Sequence, residues 1–127
     1  MVYMMTSREK LQAAFDLISR KYNNIVREIE LDKNRPVLKI ILQSEVTVFI
    51  RYNDFGEYTY LAIFSPAPDD MIRFDNYDDT WPVSSRPHHF HTQGLNDVIE
   101  SPMKGLPTND IPLLLKKIEE ITKKESN

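Results

Sequence analysis

The feature that most constrains this chain is a block of four runs rich in β-branched and aromatic residues, at 25–32, 37–44, 46–53 and 57–65, joined by very short connections. Parallel neighbours need a crossover of about a dozen residues or more, so connections this short allow only antiparallel pairing. Lys33, Asn34, Arg35 and Pro36 form the first turn, Gln43 to Glu45 the second, and Asp54, Phe55 and Gly56 the third, where Gly56 can take positive φ. In the first run Ile25, Arg27, Ile29 and Leu31 alternate with Val26, Glu28, Glu30 and Asp32, which predicts a strand with one exposed face. The middle runs are more apolar and are predicted to be more buried.

Helical spacing brackets the strands. Leu11, Ala14, Phe15, Ile18 and Tyr22 recur at intervals of three and four, and Thr6 with Glu9 forms a capping box, predicting a helix over 7–22 that ends at Asn23 and Asn24. Ile111, Leu114, Leu115, Ile118 and Ile121 predict a second helix, with Asn109 or Asp110 as N-cap and Pro112 in its first turn. Glu119 with Lys123 and Glu120 with Lys124 read as its solvated face. Seven of the eight prolines fall between Pro66 and Pro112, so the second half of the chain is less regular. Within it 71–77 reads as a strand, 78–86 as a polar loop carrying Trp81, and 88–92 as a last short strand. The expectation is one α+β domain over residues 1–127, an antiparallel meander of about five to six strands packed against an N-terminal and a C-terminal helix.

Composition narrows the chemistry. With no cysteine, thiol nucleophiles, thiolate metal sites and disulfides are excluded, and a reducing cytoplasm fits. No stretch approaches the roughly 18 apolar residues of a spanning helix, and the first ten residues lack the apolar core of a signal peptide, so neither a membrane nor export is expected. A net charge of -3 argues against a nonspecific nucleic-acid coat, though not against a local site on RNA. Gly56, Gly94 and Gly105 are isolated, which excludes a glycine-rich phosphate loop.

All three histidines fall in Pro87-His88-His89-Phe90-His91. On an extended segment His89 and His91 share one face while His88 and Phe90 take the other. Two imidazoles on one face can act as general base and acid or hold a metal; the alternative is a buried pair hydrogen-bonded to carbonyls. Upstream, Arg73 and Asp75 alternate with Ile72 and Phe74 in the same way. Arg73 can clamp a phosphate, and Asp75 can orient an imidazole or bind a metal. Antiparallel pairing of the two segments would join their polar faces in one cleft. Lys39, Arg51 and Arg27 read as solvent-facing strand charges, and Tyr52, Tyr58 and Tyr60 as core cover rather than a base-stacking platform. Trp81 reads as packing under its loop, with anchoring of a partner as the alternative.

Arg73-Phe74-Asp75-Asn76, then an irregular polar loop, then Pro87-His88-His89-Phe90-His91, Ser101 and a terminal helix resemble the TumE-type toxin family of prokaryotic toxin–antitoxin modules. The motifs cover about the last 60 residues, and the preceding helix and meander agree in order; the chain departs from the family at Tyr77, Asp78 and Asp79, where a further histidine pair is often found. The resemblance implies a cytoplasmic toxin neutralised by a cognate DNA-binding antitoxin, with RNA as target, and it matches Arg73, Asp75, Asn76, His88, His89 and His91 as site residues. Whether the chain forms a homo-oligomer is left open.

Three readings follow. In a metal-independent ribonuclease-like enzyme His89 and His91 share proton transfer, Asp75 orients one of them and Arg73 stabilises charge on phosphorus. In a metal-dependent form Asp75, His89 and His91 bind a divalent cation, with Asp79 as the competing carboxylate. In a non-enzymatic interaction module the histidines are structural and the sheet or the Trp81 loop engages a protein.

Overall fold

A computed structural model describes residues 5–32 and 34–125. The first helix, α1, runs Ser7–Lys21 and begins at the capping box: Glu9 N–H donates to Thr6 Oγ1 at 3.2 Å, and Thr6 N–H donates to the Glu9 carboxylate at 3.0 Å. Such a cap stabilises a helix by about 1 kcal/mol. Seven strands follow, β1 (Val26–Asp32), β2 (Val37–Leu42), β3 (Thr47–Tyr52), β4 (Tyr58–Ile63), β5 (Met71–Asp75), β6 (His89–His91) and β7 (Val98–Glu100), and α2 (Pro107–Glu125) closes the chain. Each strand pairs antiparallel with the next, so the spatial order is the order of the sequence.

The sheet has one strand more than the upper expectation of six. Val98–Glu100 is only three residues long, too short to show a period, and it forms by pairing with β6. Residue 33 of the first turn lies outside the described residues.

Register sorts the two faces. Leu31, Leu38, Ile50, Tyr60, Phe74, Phe90 and Ile99 form one continuous cross-strand row. Except at the margins these side chains are buried, together with Leu11, Ala14 and Ile18 of α1 and Ile111, Leu114 and Ile118 of α2. Both helices therefore cover the same face. Fully burying an aliphatic side chain contributes about 1.5–3 kcal/mol, so this layer is the main source of stability.

Three local expectations change. An irregularity in the β1–β2 register between Val26 and Glu28 places Val26 opposite Leu42 and in phase with Ile29 and Leu31, while Ile25 stays outside the strand. The predicted alternation through Ile25 and Arg27 fails because Arg27 is the extra residue of that bulge. The second helix begins at Pro107, so Pro112 lies within the helix rather than in its first turn. Asp110 is not its N-cap: it is fully buried and accepts hydrogen bonds from Tyr60 Oη, from the backbone N–H groups of Lys104, Gly105 and Leu106, and from Asn109 Nδ2. The helix start is thereby tied to the centre of β4. Among the described residues no helix is long and apolar enough to cross a membrane.

Candidate functional site

Among the described residues no α-helix covers the second face of the sheet, and there β5 and β6 bring their polar rows together. Arg73 pairs with His91 and Asp75 with His89 in register, while Phe74 and Phe90 stack at 4.2 Å on the helix side. Asp75 is the hub. Its Oδ2 accepts from Arg73 Nε at 2.7 Å, its Oδ1 accepts from Tyr77 N–H at 3.2 Å, and Oδ1 lies 2.8 Å from His89 Nε2. His91 Nε2 lies 3.8 Å from Asp75 Oδ2 and takes a hydrogen bond from Arg73 Nη2 at 3.1 Å.

These partners set the imidazole protons. Arg73 can only donate, so His91 Nε2 presents its lone pair and its proton sits on Nδ1. His89 Nδ1 lies 3.0 Å from the Pro87 carbonyl oxygen, an acceptor, so that nitrogen carries a proton. His89 Nε2 then faces a carboxylate oxygen. Burial, and next the neighbouring Arg73 cation, push the His91 pKa below the ordinary histidine value, against the pull of Asp75. His91 is thus held neutral near physiological pH.

Magnitudes separate this cluster from ordinary surface pairs. The loop pair Arg86–Asp79 spans 3.0 Å with both side chains more than half exposed, so solvent screens it and it contributes little. The Asp75 side chain is only 5% exposed, and an unpaired charge there would cost several kcal/mol. Arg73, at 40% exposure, carries the positive charge out to the surface.

A cleft of about 380 Å³ opens over the cluster, lined by Arg51, Thr59, Leu61, Arg73, Asp75, Tyr77, Asp78, Trp81, His89 and His91. The 76–88 loop forms one wall, with the Trp81 ring centre 5.9 Å from that of His89 and 5.6 Å from that of His91. Two devices hold the loop. Ser85 Oγ donates to the His88 carbonyl and accepts from Ser101 N–H, and Arg86 donates to the side chain and backbone of Asp79.

Of the residues predicted from sequence, Arg73, Asp75, His89 and His91 meet in the cleft. His88 does not: it lies on the other side, stacked on Tyr58 at 5.8 Å with Nδ1 2.9 Å from the Tyr58 hydroxyl. Asn76 is also elsewhere engaged, its Oδ1 accepting from Tyr58 N–H and its Nδ2 donating to the Gly56 carbonyl, which fastens the β3–β4 turn. Asp79 is turned to Arg86 and does not line the cleft. Tyr52, Tyr58 and Tyr60 are buried in the core.

Thr59 joins the site without having been singled out, Arg51 had been read only as a solvent-facing strand charge, and Tyr77 and Asp78 only as departures from the family pattern. Arg51 lies two strands from Asp75, in the row Arg51–Thr59–Asp75–His89. The alternation of β3 and β4 placed it on the correct face, but nothing in the sequence marked that face as the working one. It matters electrostatically, since Arg51 and Arg73 balance Asp75 and Asp78 among the cleft residues. No protein-family model, curated protein or solved structure matches this chain.

Proposed function

We propose that this protein is the toxin component of a type II toxin–antitoxin module that acts in the cytoplasm on RNA, with the cleft over Asp75 as its working site. The observation that carries this reading is the placement of Arg73, half out of the protein, across the buried Asp75 and the lone pair of His91. A guanidinium so placed can leave His91 for the phosphate of an entering polyanion, and Arg51 on the same face supplies a second cation. The phosphodiester then lies above two histidines and a carboxylate, the groups that phosphoryl chemistry uses to activate a nucleophile. The half-buried Trp81 and exposed Tyr77 offer ring surface to an unpaired base. A site of this kind suits single-stranded RNA rather than long duplexes, which agrees with a net charge of -3.

Neutralisation by a cognate DNA-binding antitoxin follows most simply from coverage of this cleft, with a basic segment facing an acidic chain. The test is induction of the protein in a bacterial host with and without Arg73→Ala. The proposal predicts growth arrest with the wild type, relief with the variant at equal soluble level, and protection by the product of an adjacent gene. Arrest that persists in Arg73→Ala would sink it.

One observation favours a second reading, a non-enzymatic interaction module. Both nitrogens of His89 are already engaged, by Pro87 and Asp75, as in a histidine kept for structure. In that case His91→Ala leaves the phenotype intact and Trp81→Ala removes it.

A further inference from the structure

We propose that Asp75, His89 and His91 form a binding site for one divalent transition-metal cation of the zinc and cobalt class. The inference goes beyond the RNA reading and stands on the geometry of three side chains. One carboxylate oxygen and two imidazole nitrogens lie within 4.8 Å of one another, on residues that are all buried. The separations from Asp75 are 2.8 Å to His89 Nε2 and 3.8 Å to His91 Nε2. Ligands about 2.0–2.2 Å from a tetrahedral ion stand roughly 3.4 Å apart, so small side-chain rotations complete the shell.

The hydrogen-bond pattern points to the same occupant. With His89 Nδ1 engaged by the Pro87 carbonyl, Nε2 is the ring nitrogen turned to the Asp75 carboxylate, 2.8 Å from its Oδ1. A cation between these two atoms would be bound by both. An N–H bonded to a backbone carbonyl is also the usual outer partner of a ligating histidine, fixing tautomer and ring orientation. At His91 the positive species is Arg73, which occupies Asp75 Oδ2 and His91 Nε2 together. Its partial exposure lets it rotate into the cleft beside Arg51 and leave both atoms to the metal.

The donor set decides the class of ion. Two imidazoles and a single carboxylate, with no sulfur, suit zinc, cobalt, nickel or manganese and poorly suit magnesium or calcium, which prefer oxygen. Three protein ligands leave a position for water on the cleft side. Asp75 and His89 are register partners and His91 lies two residues along the same strand as His89, so a sheet holds the site rather than a loop.

The test is titration of the tag-free full-length chain with cobalt(II), followed by visible absorption and then by competition with zinc. The chain has three histidines and no cysteine, so other sources of an intense cobalt band are few. The proposal predicts one saturable equivalent, displaced by zinc and not by excess magnesium, and unchanged by His88→Gln. Asp75→Asn and His91→Gln should weaken it by at least the roughly 10- to 100-fold that loss of an outer partner alone costs. Arg73→Gln should bind about tenfold tighter, because a competing cation has gone. If a ligand variant does not fold, the wild type and Arg73→Gln carry the test. Absence of a saturable equivalent, undiminished binding in folded ligand variants, or no gain in Arg73→Gln overturns the proposal. No RNA enters the titration, so loss of the RNA reading leaves a positive result standing, and loss of the metal site leaves Arg73-dependent action on RNA standing.

Discussion

Replacing Asp75 with asparagine keeps the side-chain volume and removes the charge, so its effect can be worked from the contacts. The carboxylate accepts from Arg73 Nε and Tyr77 N–H and faces His89 Nε2. An amide has one acceptor oxygen and one NH₂ group, and whichever way it turns, a donor meets a donor at Arg73 or at Tyr77. A hydrogen bond to a charged group contributes about 1.5–3 kcal/mol net. The Arg73 share is discounted, because at 40% exposure water replaces the lost partner. His89, at 1% exposure, has no such substitute. The expected cost is about 2–3 kcal/mol, which for a chain of this size lowers Tm by roughly 8–12 °C. Urea unfolding followed by circular dichroism, with a chelator present, should show a lower midpoint and an unchanged slope. A loss below about 0.5 kcal/mol, the range of an ordinary surface substitution, would refute the view of Asp75 as the hub.

Three further outcomes are expected. Asp110→Ala, which strands the Tyr60 hydroxyl and three backbone N–H groups, should cost about 3–5 kcal/mol in the same assay, and a cost under 1 kcal/mol would contradict its anchoring role. Because burial and the Arg73 cation hold the folded-state pKa of His91 below the ordinary histidine value of 6.5, the unfolded chain binds more protons between the two values; the His91 contribution to metal-free stability is therefore full above 6.5 and is lost as pH drops through that window. The slope should be shallower in His91→Gln, and equal slopes would refute the assignment. Trp81 is the only tryptophan and its ring centre lies within 6 Å of both site imidazoles, at 5.9 and 5.6 Å, so cobalt should quench its fluorescence with saturation at one equivalent; unchanged emission would place the ion elsewhere.

Much of the fold was legible because its signals are local. The stripe through Leu11, Ala14 and Ile18 and the short turns after 32, 42 and 52 leave little besides a helix and an antiparallel meander. What escaped was set by pairing rather than by pattern: the short β7, and the bulge at Arg27 that rephases β1. The cluster was legible for the same reason as the meander, since residues 73 and 75 and residues 89 and 91 alternate with apolar neighbours and strand pairing aligns them. Alternation also set His88 apart from His89 and His91, whereas motif resemblance grouped all three; the stacking of His88 on Tyr58 follows the alternation. Arg51 reaches the cleft only through two intervening strand pairings, and the fastening of the Gly56 turn by Asn76 spans 20 residues, relations that no local window contains.

The central claim, that the cleft over Asp75 acts on RNA, is tested most directly by incubating purified, tag-free protein with single-stranded RNA and mapping new ends by sequencing. The wild type, with and without added zinc, is compared with Arg73→Ala and His91→Gln. The account predicts discrete cleavage by the wild type that both variants lose while remaining folded. RNA left intact by a wild-type protein that arrests growth, or cleavage that Arg73→Ala and His91→Gln both retain, would contradict it.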